Sequence, residues 1–198
     1  HWDIVISDYV LPDCDGLDVL SVVRRMQPDL PFILVFGGIG EAVAVRCEAM
    51  KMVPSWWGPR EKPGVKWPRA ASLLELAQDN DILVVTAKAD RANSGLISRE
   101  VIEALGPDGM LINIARGQLV NQAALIAALK DGRLGGAGLD VFEVEPTPPS
   151  DWADVPNTVL APHIGGATHE AIRAMTVQLM ENLAAFHDSY GTKAGDGL

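Results

Sequence analysis

The chain has 198 residues, 48% of them hydrophobic and 21% charged, with a formal net charge of −10. That is enough chain to bury a core, and it is too acidic for a broad nucleic-acid-binding face. No run of about 18 apolar residues and no signal peptide is present, so the expectation is a cytoplasmic protein with no membrane partner. The two cysteines, Cys14 and Cys47, stand outside any CxxC or Cys/His cluster, which points to a reducing compartment and no metal site. The first residue is His1, as expected of a fragment or an engineered piece.

Trp2 to Ser7 reads as a compact apolar strand ending at Asp8. Leu17, Leu20, Val23 and Met26 follow at helical spacing, and Pro28 and Pro31 close that helix before a second apolar run, Phe32 to Val35. The glycine cluster Gly37-Gly38-Ile39-Gly40 comes next, and a helix rich in alanine and valine begins at about Glu41. Met52 to Trp57 is a weak strand interrupted by Pro54, followed by the turn-rich stretch Gly58 to Gly64. Ser72 and Glu75 form a capping box that opens a short helix. Asp81 to Thr86 is a continuous apolar strand. Ser98 caps the next helix, which Gly106-Pro107-Asp108-Gly109 stops, and Met110 to Ala115 is another buried strand. Asn121 caps a helix ending at Gly132, and Gly136 to Phe142 is a further strand. A proline-rich loop, Glu145 to Pro156, leads to the strand Thr158 to Ala161 and to Pro162-His163-Ile164-Gly165-Gly166. The last helix starts at about Thr168, with Ile172, Met175, Leu179, Leu183 and Phe186 on one stripe, and residues 191–198 are a polar tail. Strands that alternate with helices, each strand apolar throughout, predict an α/β fold: a doubly wound, Rossmann-like parallel sheet in one domain of residues 1–190.

Strand, glycine turn and helix at Pro31 to Glu48 form the context in which a glycine loop becomes a phosphate site. The backbone can approach a pyrophosphate closely, and the helix N-terminus offers unpaired N–H groups. In a G-x-G-x-x-G frame ending at Gly40, the second and third glycines are Gly37 and Gly40, while Val35 takes the place of the first. A plain strand-to-helix turn is the other reading of these residues.

Asp8, Leu11, Pro12 and Gly16, with the following PFILV and G-x-I-G-E, resemble the response-regulator receiver domain over roughly the first 45 residues. The resemblance implies a flavodoxin-like β-α-β graft in residues 1–36, with Asp8 as a vestigial phospho-acceptor. The acidic pair that holds Mg²⁺ in receivers is absent, Phe36 replaces the strand-ending Ser or Thr, and no final-strand lysine is visible. In-line transfer therefore loses its electrostatic support.

From Gly37 to about Phe186 the stretches IGEAVA, GLISREVIEALGPDGMLINIARGQLV, ALIAALKDGRLGGAGLDVFEVEP and PNTVLAPHIGGAT resemble the nucleotide-binding domain of the D-isomer-specific 2-hydroxyacid dehydrogenases, near the glyoxylate/hydroxypyruvate reductases. The resemblance implies hydride transfer between a nicotinamide and a 2-keto or 2-hydroxy acid. Arg116 would pair with the substrate carboxylate, His163 would be the acid/base, and Glu145 would hold the imidazole and raise its pKa. The dinucleotide would lie on Gly37, Gly38, Ile39, Gly40, Arg60, Thr86, Ile114, Asp140 and Gly165, with Asp140 on the nicotinamide side. Gly58 stands where the family carries the acid for the ribose 2′-OH, and Arg60 and Lys62 are close by, so NADP is expected over NAD.

The family builds its substrate cleft against a second domain upstream, whereas here a receiver-like piece precedes the glycine loop. The expectation is an engineered chimera that binds dinucleotide weakly and turns over poorly or not at all. An active NAD(P)-dependent oxidoreductase and a receiver-type phospho-switch are the alternatives. Counting neighbours adds a topological expectation, because right-handed crossovers assign Asp3 to Ser7 and Ile82 to Thr86 to the same slot beside Phe32 to Val35. Three resolutions are open: inserting Asp3 to Ser7 between the two strands, exchanging the N-terminal β-α unit with a second copy to form a homodimer, or displacing it.

Overall fold

Leu83 and Val85 pack into one apolar cluster while Ile82 and Val84, alternating with them, pack into another. That alternation is the signature of a strand with both faces covered, which in a parallel sheet means helices on both sides. A computed structural model describes residues 31–35 and 38–191. One compact unit ends at Pro162 and a second begins at His163.

Among the described residues of the first unit, six parallel strands form one sheet. They are β1 (Pro31–Val35), β2 (Val53–Trp57), β3 (Ile82–Val85), β4 (Met110–Asn113), β5 (Gly136–Leu139) and β6 (Thr158–Leu160), in the spatial order β2-β1-β3-β4-β5-β6. The helices are α1 (Gly38–Ala49), α2 (Leu73–Gln78), α3 (Arg99–Ala104) and α4 (Gln122–Lys130). Ala44 and Cys47 of α1 pack with Trp56, Trp67, Ile82 and Val84 on one face. The buried residues of α2, α3 and α4, among them Leu76, Ile102 and Leu125, pack with Leu83, Val85 and Leu111 on the other. The sheet is doubly wound, as the alternation of elements predicts.

The caps read from the sequence hold the helix starts. Ser72 accepts from the Glu75 N–H at 3.0 Å, Ser98 from Val101 at 3.5 Å and Asn121 from Ala124 at 3.0 Å. Glu75 reaches back to the N–H of Ala71 rather than to that of Ser72 itself. Gly106 and Gly132 end their segments with φ of 76° and 68°, a region that glycine enters without steric cost. Helix α1 begins at Gly38, ahead of the expected Glu41.

Pro54 lies inside β2 rather than breaking it. β2 is an outer strand, paired along one side with β1, and a proline without an N–H is tolerated there. A single parallel bridge joins Trp56 to Arg69 on its other side, flanked by Trp56 N–H to Pro68 O at 3.0 Å and Ala70 N–H to Trp56 O at 2.9 Å.

The topological expectation needs correction at one point. β1 pairs directly with β3, from Phe32 opposite Ile82 to Val35 opposite Val85, while its other edge pairs with β2. Both edges of β1 are used, so no slot remains for Asp3 to Ser7 between β1 and β3, and the insertion does not occur. Asp8, the receiver-like residues before β1, Gly37 and the polar tail beyond residue 191 lie outside the described residues, as does any exchange of residues 1–30 between copies.

In the second unit, helix α5 (His169–Gly191) starts behind Thr168, whose Oγ1 accepts from the Ala171 N–H at 3.0 Å. The stripe read from the sequence is exposed along it, with Ile172, Met175, Leu179, Leu183 and Phe186 each more than half accessible.

Candidate functional site

Parallel strands end on one side of a sheet, so the segments following β1, β3 and β4 gather at one edge. A cleft of about 570 Å³ opens there, within the range of sites that hold small molecules. It is lined by Ile39 in the first turn of α1, by residues 86–89 after β3, and by Ile114, Ala115, Arg116 and Gln118 after β4. This is the point where the strand order reverses, between β1 and β3, with α1 on one face and the helix after β3 on the other. In open α/β sheets ligands bind outside the carboxyl ends of the strands at such a switch point.

The turn that presents Arg116 is organised by Asn113, which is 1% exposed. Its Oδ1 accepts from the Ala115 N–H at 3.1 Å and its Nδ2 donates to the Arg116 carbonyl at 3.0 Å. The guanidinium donates from Nη1 to the Ala115 carbonyl at 2.6 Å. Gly117 follows, pressed so closely on Phe142 that an added Cβ would lie 1.9 Å from its carbonyl carbon and oxygen. Close approach is why glycine follows the arginine here.

The facing segment after β3 is braced by Asp90, whose Oδ1 accepts from the N–H groups of Ala92 and Asn93 at 2.8 and 3.1 Å. Asn93 in turn donates to the Lys88 carbonyl at 2.8 Å. Gln118 ties the two segments, donating to the Asp90 carbonyl at 3.2 Å while its own carbonyl accepts from Gly95 at 2.8 Å. Among the described residues, neither Lys88 nor Arg116 meets a carboxylate.

Four of the residues singled out in the sequence, Ile39, Thr86, Ile114 and Arg116, therefore share one cleft. Gly38 and Gly40 lie in the first turn of α1 beside Ile39. Asp140 follows β5, its N–H bonded to the Asn113 carbonyl at 3.0 Å, which sets it next to the Arg116 turn. Glu145 accepts from the Phe142 N–H at 2.9 Å through Oε1, so it is attached to the same backbone that Gly117 touches. Arg60 is exposed beyond β2, outside the residues lining the cleft. His163 and Gly165 belong to the second unit. His163 has φ of 57°, a left-handed conformation uncommon for a side-chain-bearing residue and found more often at functional positions. Lys88, Ala87, Ala89, Ala115 and Gln118 were not anticipated. Their position just past two apolar strands is the signal that would have found them.

A family model for the NAD-binding domain of the D-isomer-specific 2-hydroxyacid dehydrogenases matches residues 27–165. The chain belongs to this family. Hydroxyphenylpyruvate reductase of Plectranthus scutellarioides is 45% identical over 153 residues, covering 77% of this chain and 49% of that protein. A glyoxylate/hydroxypyruvate reductase of Arabidopsis thaliana is 42% identical over the same shares. Among solved structures, the NADPH-dependent glyoxylate/hydroxypyruvate reductase of Sinorhizobium meliloti, in complex with NADP and malonate, superposes with a TM-score of 0.76 at 34% identity over 81% of this chain and 50% of that one. The chain spans about half the length of the relatives it matches.

The dehydrogenase match opens at residue 27, ahead of the Gly37 boundary drawn from the motifs. β1 is thus part of the dehydrogenase sheet, as its pairing on both edges requires. The donor set of the cleft suits an NAD-type ligand. Lys88 and Arg116, two cations without carboxylate partners among the described residues, suit the anionic groups of such a ligand and its substrate, and Ile39, Ile114 and the alanines offer apolar surface for a ring. Among the described residues no helix is long and apolar enough to cross a membrane, and no cluster of metal-ligating side chains is present.

Proposed function

We propose that the chain is the cofactor-binding part of an NADP-preferring 2-hydroxyacid oxidoreductase acting on small 2-keto acids of the glyoxylate and hydroxypyruvate class. The observation that carries this reading is the cleft at the β1/β3 switch point, whose wall is shared by Arg116 and by Ile39 of the first turn of α1. When bound, the nicotinamide supplies the hydride.

Arg116 holds the carboxylate of the keto acid, its planar fork matching the two oxygens. His163 delivers the proton to the carbonyl oxygen, and Glu145 orients that imidazole. Asp140 and Gly165 contact the nicotinamide side, and Thr86 and Ile114 line its approach. Gly58 offers no carboxylate to a ribose 2′-OH, and Arg60 with Lys62 suits a 2′-phosphate, which supports NADP over NAD. The NADP complex of the Sinorhizobium reductase agrees with that preference.

With Val35 in place of the first glycine, dinucleotide binding is weaker than in the parent family. Turnover by these 198 residues alone is slow, because the part they match makes up only 49% of the first relative's length and a loosely positioned substrate forfeits rate. The residues before β1 keep their receiver resemblance, and a chimeric origin accounts for it.

Titration with NADPH and NADH, followed by quenching of tryptophan fluorescence, tests the cofactor assignment. NADPH binds tighter, and Arg60→Ala removes the difference. A clear NADH preference would overturn the Arg60 argument. Glyoxylate and hydroxypyruvate reduction are then assayed by NADPH absorbance. His163→Ala abolishes whatever rate the wild type shows while leaving the titration unchanged. Loss of NADPH binding in that variant would remove His163 from the acid/base role.

A further inference from the structure

Among the described residues Lys88 is the one lysine on the wall of the cleft, two residues beyond the buried Thr86 that follows β3. Its ammonium has no carboxylate partner among the described residues, in a protein whose net charge is −10. A lysine left unneutralised where most surface charge is acidic marks a place where an anion is favoured.

The sheet order says which anion. β3 lies between β1 and β4, so the segment carrying Lys88 runs between the first turn of α1 on one side and the Arg116 turn on the other. Ile39 and Arg116 line the same cleft from those two sides. Arg116 is engaged by the substrate carboxylate in the reading above. The anion facing the first turn of α1 is then the diphosphate that links the two halves of a dinucleotide.

The loop backbone is already held in place. The Lys88 carbonyl accepts from Asn93, Asp90 closes the turn behind it, and Gln118 bonds to Asp90. Only the side chain of Lys88 needs to order on binding, so little entropy opposes the contact.

We propose that Lys88 is a diphosphate-binding residue of this domain, lining the dinucleotide crevice from the β3 side across from the first turn of α1. The assignment rests on the dinucleotide reading above and adds to it a cation that acts on NADPH and NADH alike. It would offset part of what the turn loses by carrying Val35 in place of glycine. Arg60, by contrast, acts on the 2′-phosphate alone, so the two residues leave different signatures.

The test is fluorescence titration of the full 198-residue chain with NADPH and NADH at several salt concentrations, for wild type, Lys88→Met and Lys88→Arg. Lys88→Met weakens both cofactors about tenfold, the scale of one charge-assisted hydrogen bond at an accessible site, and leaves their ratio unchanged. It also flattens the salt dependence of binding, while Lys88→Arg retains most of the affinity. An unchanged melting temperature shows that the loop has not collapsed. Wild-type affinity for both cofactors in Lys88→Met overturns the assignment and leaves the dinucleotide reading standing. So does a raised KM for glyoxylate with dinucleotide affinity unchanged, which places the lysine on the substrate. Absence of binding in the wild type itself overturns the dinucleotide reading and the assignment together.

Discussion

Replacing Gly117 with alanine adds one methyl group at the place where the Arg116 turn meets the loop that carries Glu145. The new Cβ would sit 1.9 Å from the carbonyl carbon and oxygen of Phe142 and 2.4 Å from the Glu143 nitrogen. All three are backbone atoms, so no rotamer change relieves the overlap. The two segments must part by roughly 1.5 Å to reach ordinary contact, in an interior packed too tightly to absorb it. Gly117, Leu119 and Phe142 are buried, and Leu119 and Phe142 both belong to the larger core cluster, so the displacement spreads into it. Overpacking of this kind costs typically 1–3 kcal/mol, and a clash against backbone belongs at the upper end, about 3 kcal/mol. For a chain of this size that corresponds to a fall in Tm of roughly 6–12 °C. The matched control is Gly166→Ala, where an added Cβ meets nothing within 4 Å, and its effect stays within about 0.5 kcal/mol. Differential scanning calorimetry of the three proteins reads the outcome. If Gly117→Ala melts with wild type, close approach is not the reason for glycine at this position.

Asn113→Ala removes the partners of the Ala115 N–H and the Arg116 carbonyl in a buried turn, and the expected loss is about 2 kcal/mol in denaturant unfolding. Asn113→Asp keeps the acceptor for Ala115 but cannot donate to Arg116, so it destabilises as well; wild-type stability in both variants would show that the turn does not depend on this side chain. Burial raises the Cys47 thiol from 9.0 to about 12. The folded state keeps the thiol protonated where the unfolded chain ionises it, so the stability gained from this group is fully present below pH 9 and is lost as the pH rises towards about 12. In a Cys14→Ser background, Cys47 resists a thiol-labelling reagent at pH 8 and reacts once the protein is unfolded; rapid labelling of the native protein would contradict its buried position.

The strands other than β2 were legible because each is a short apolar run between turn residues. The helix starts were legible because Ser72, Ser98 and Asn121 carry their hydrogen-bonding oxygens in the side chain, a local property that needs no distant partner. Pro54 was misleading as a break, since whether a proline interrupts a strand depends on which edge of that strand is paired. Arg116 was legible through the family resemblance, by its N-x-x-R-G match, in which Asn113 and Gly117 each have a physical task.

Which strands lie side by side was beyond the sequence. The choice between β3 and the stretch Asp3 to Ser7 as the neighbour of β1 turns on backbone hydrogen bonds between residues far apart in the chain, and both candidates are equally apolar. The cleft followed from that decision. Only when β1, β3 and β4 stand in consecutive order do the segments beyond them converge, bringing Ile39, Lys88 and Arg116 to one edge. Local pattern determined the elements and the chemistry each could carry. The tertiary pairing decided which of those chemistries share a site, because parallel strands meet only through long crossovers whose order no single segment encodes.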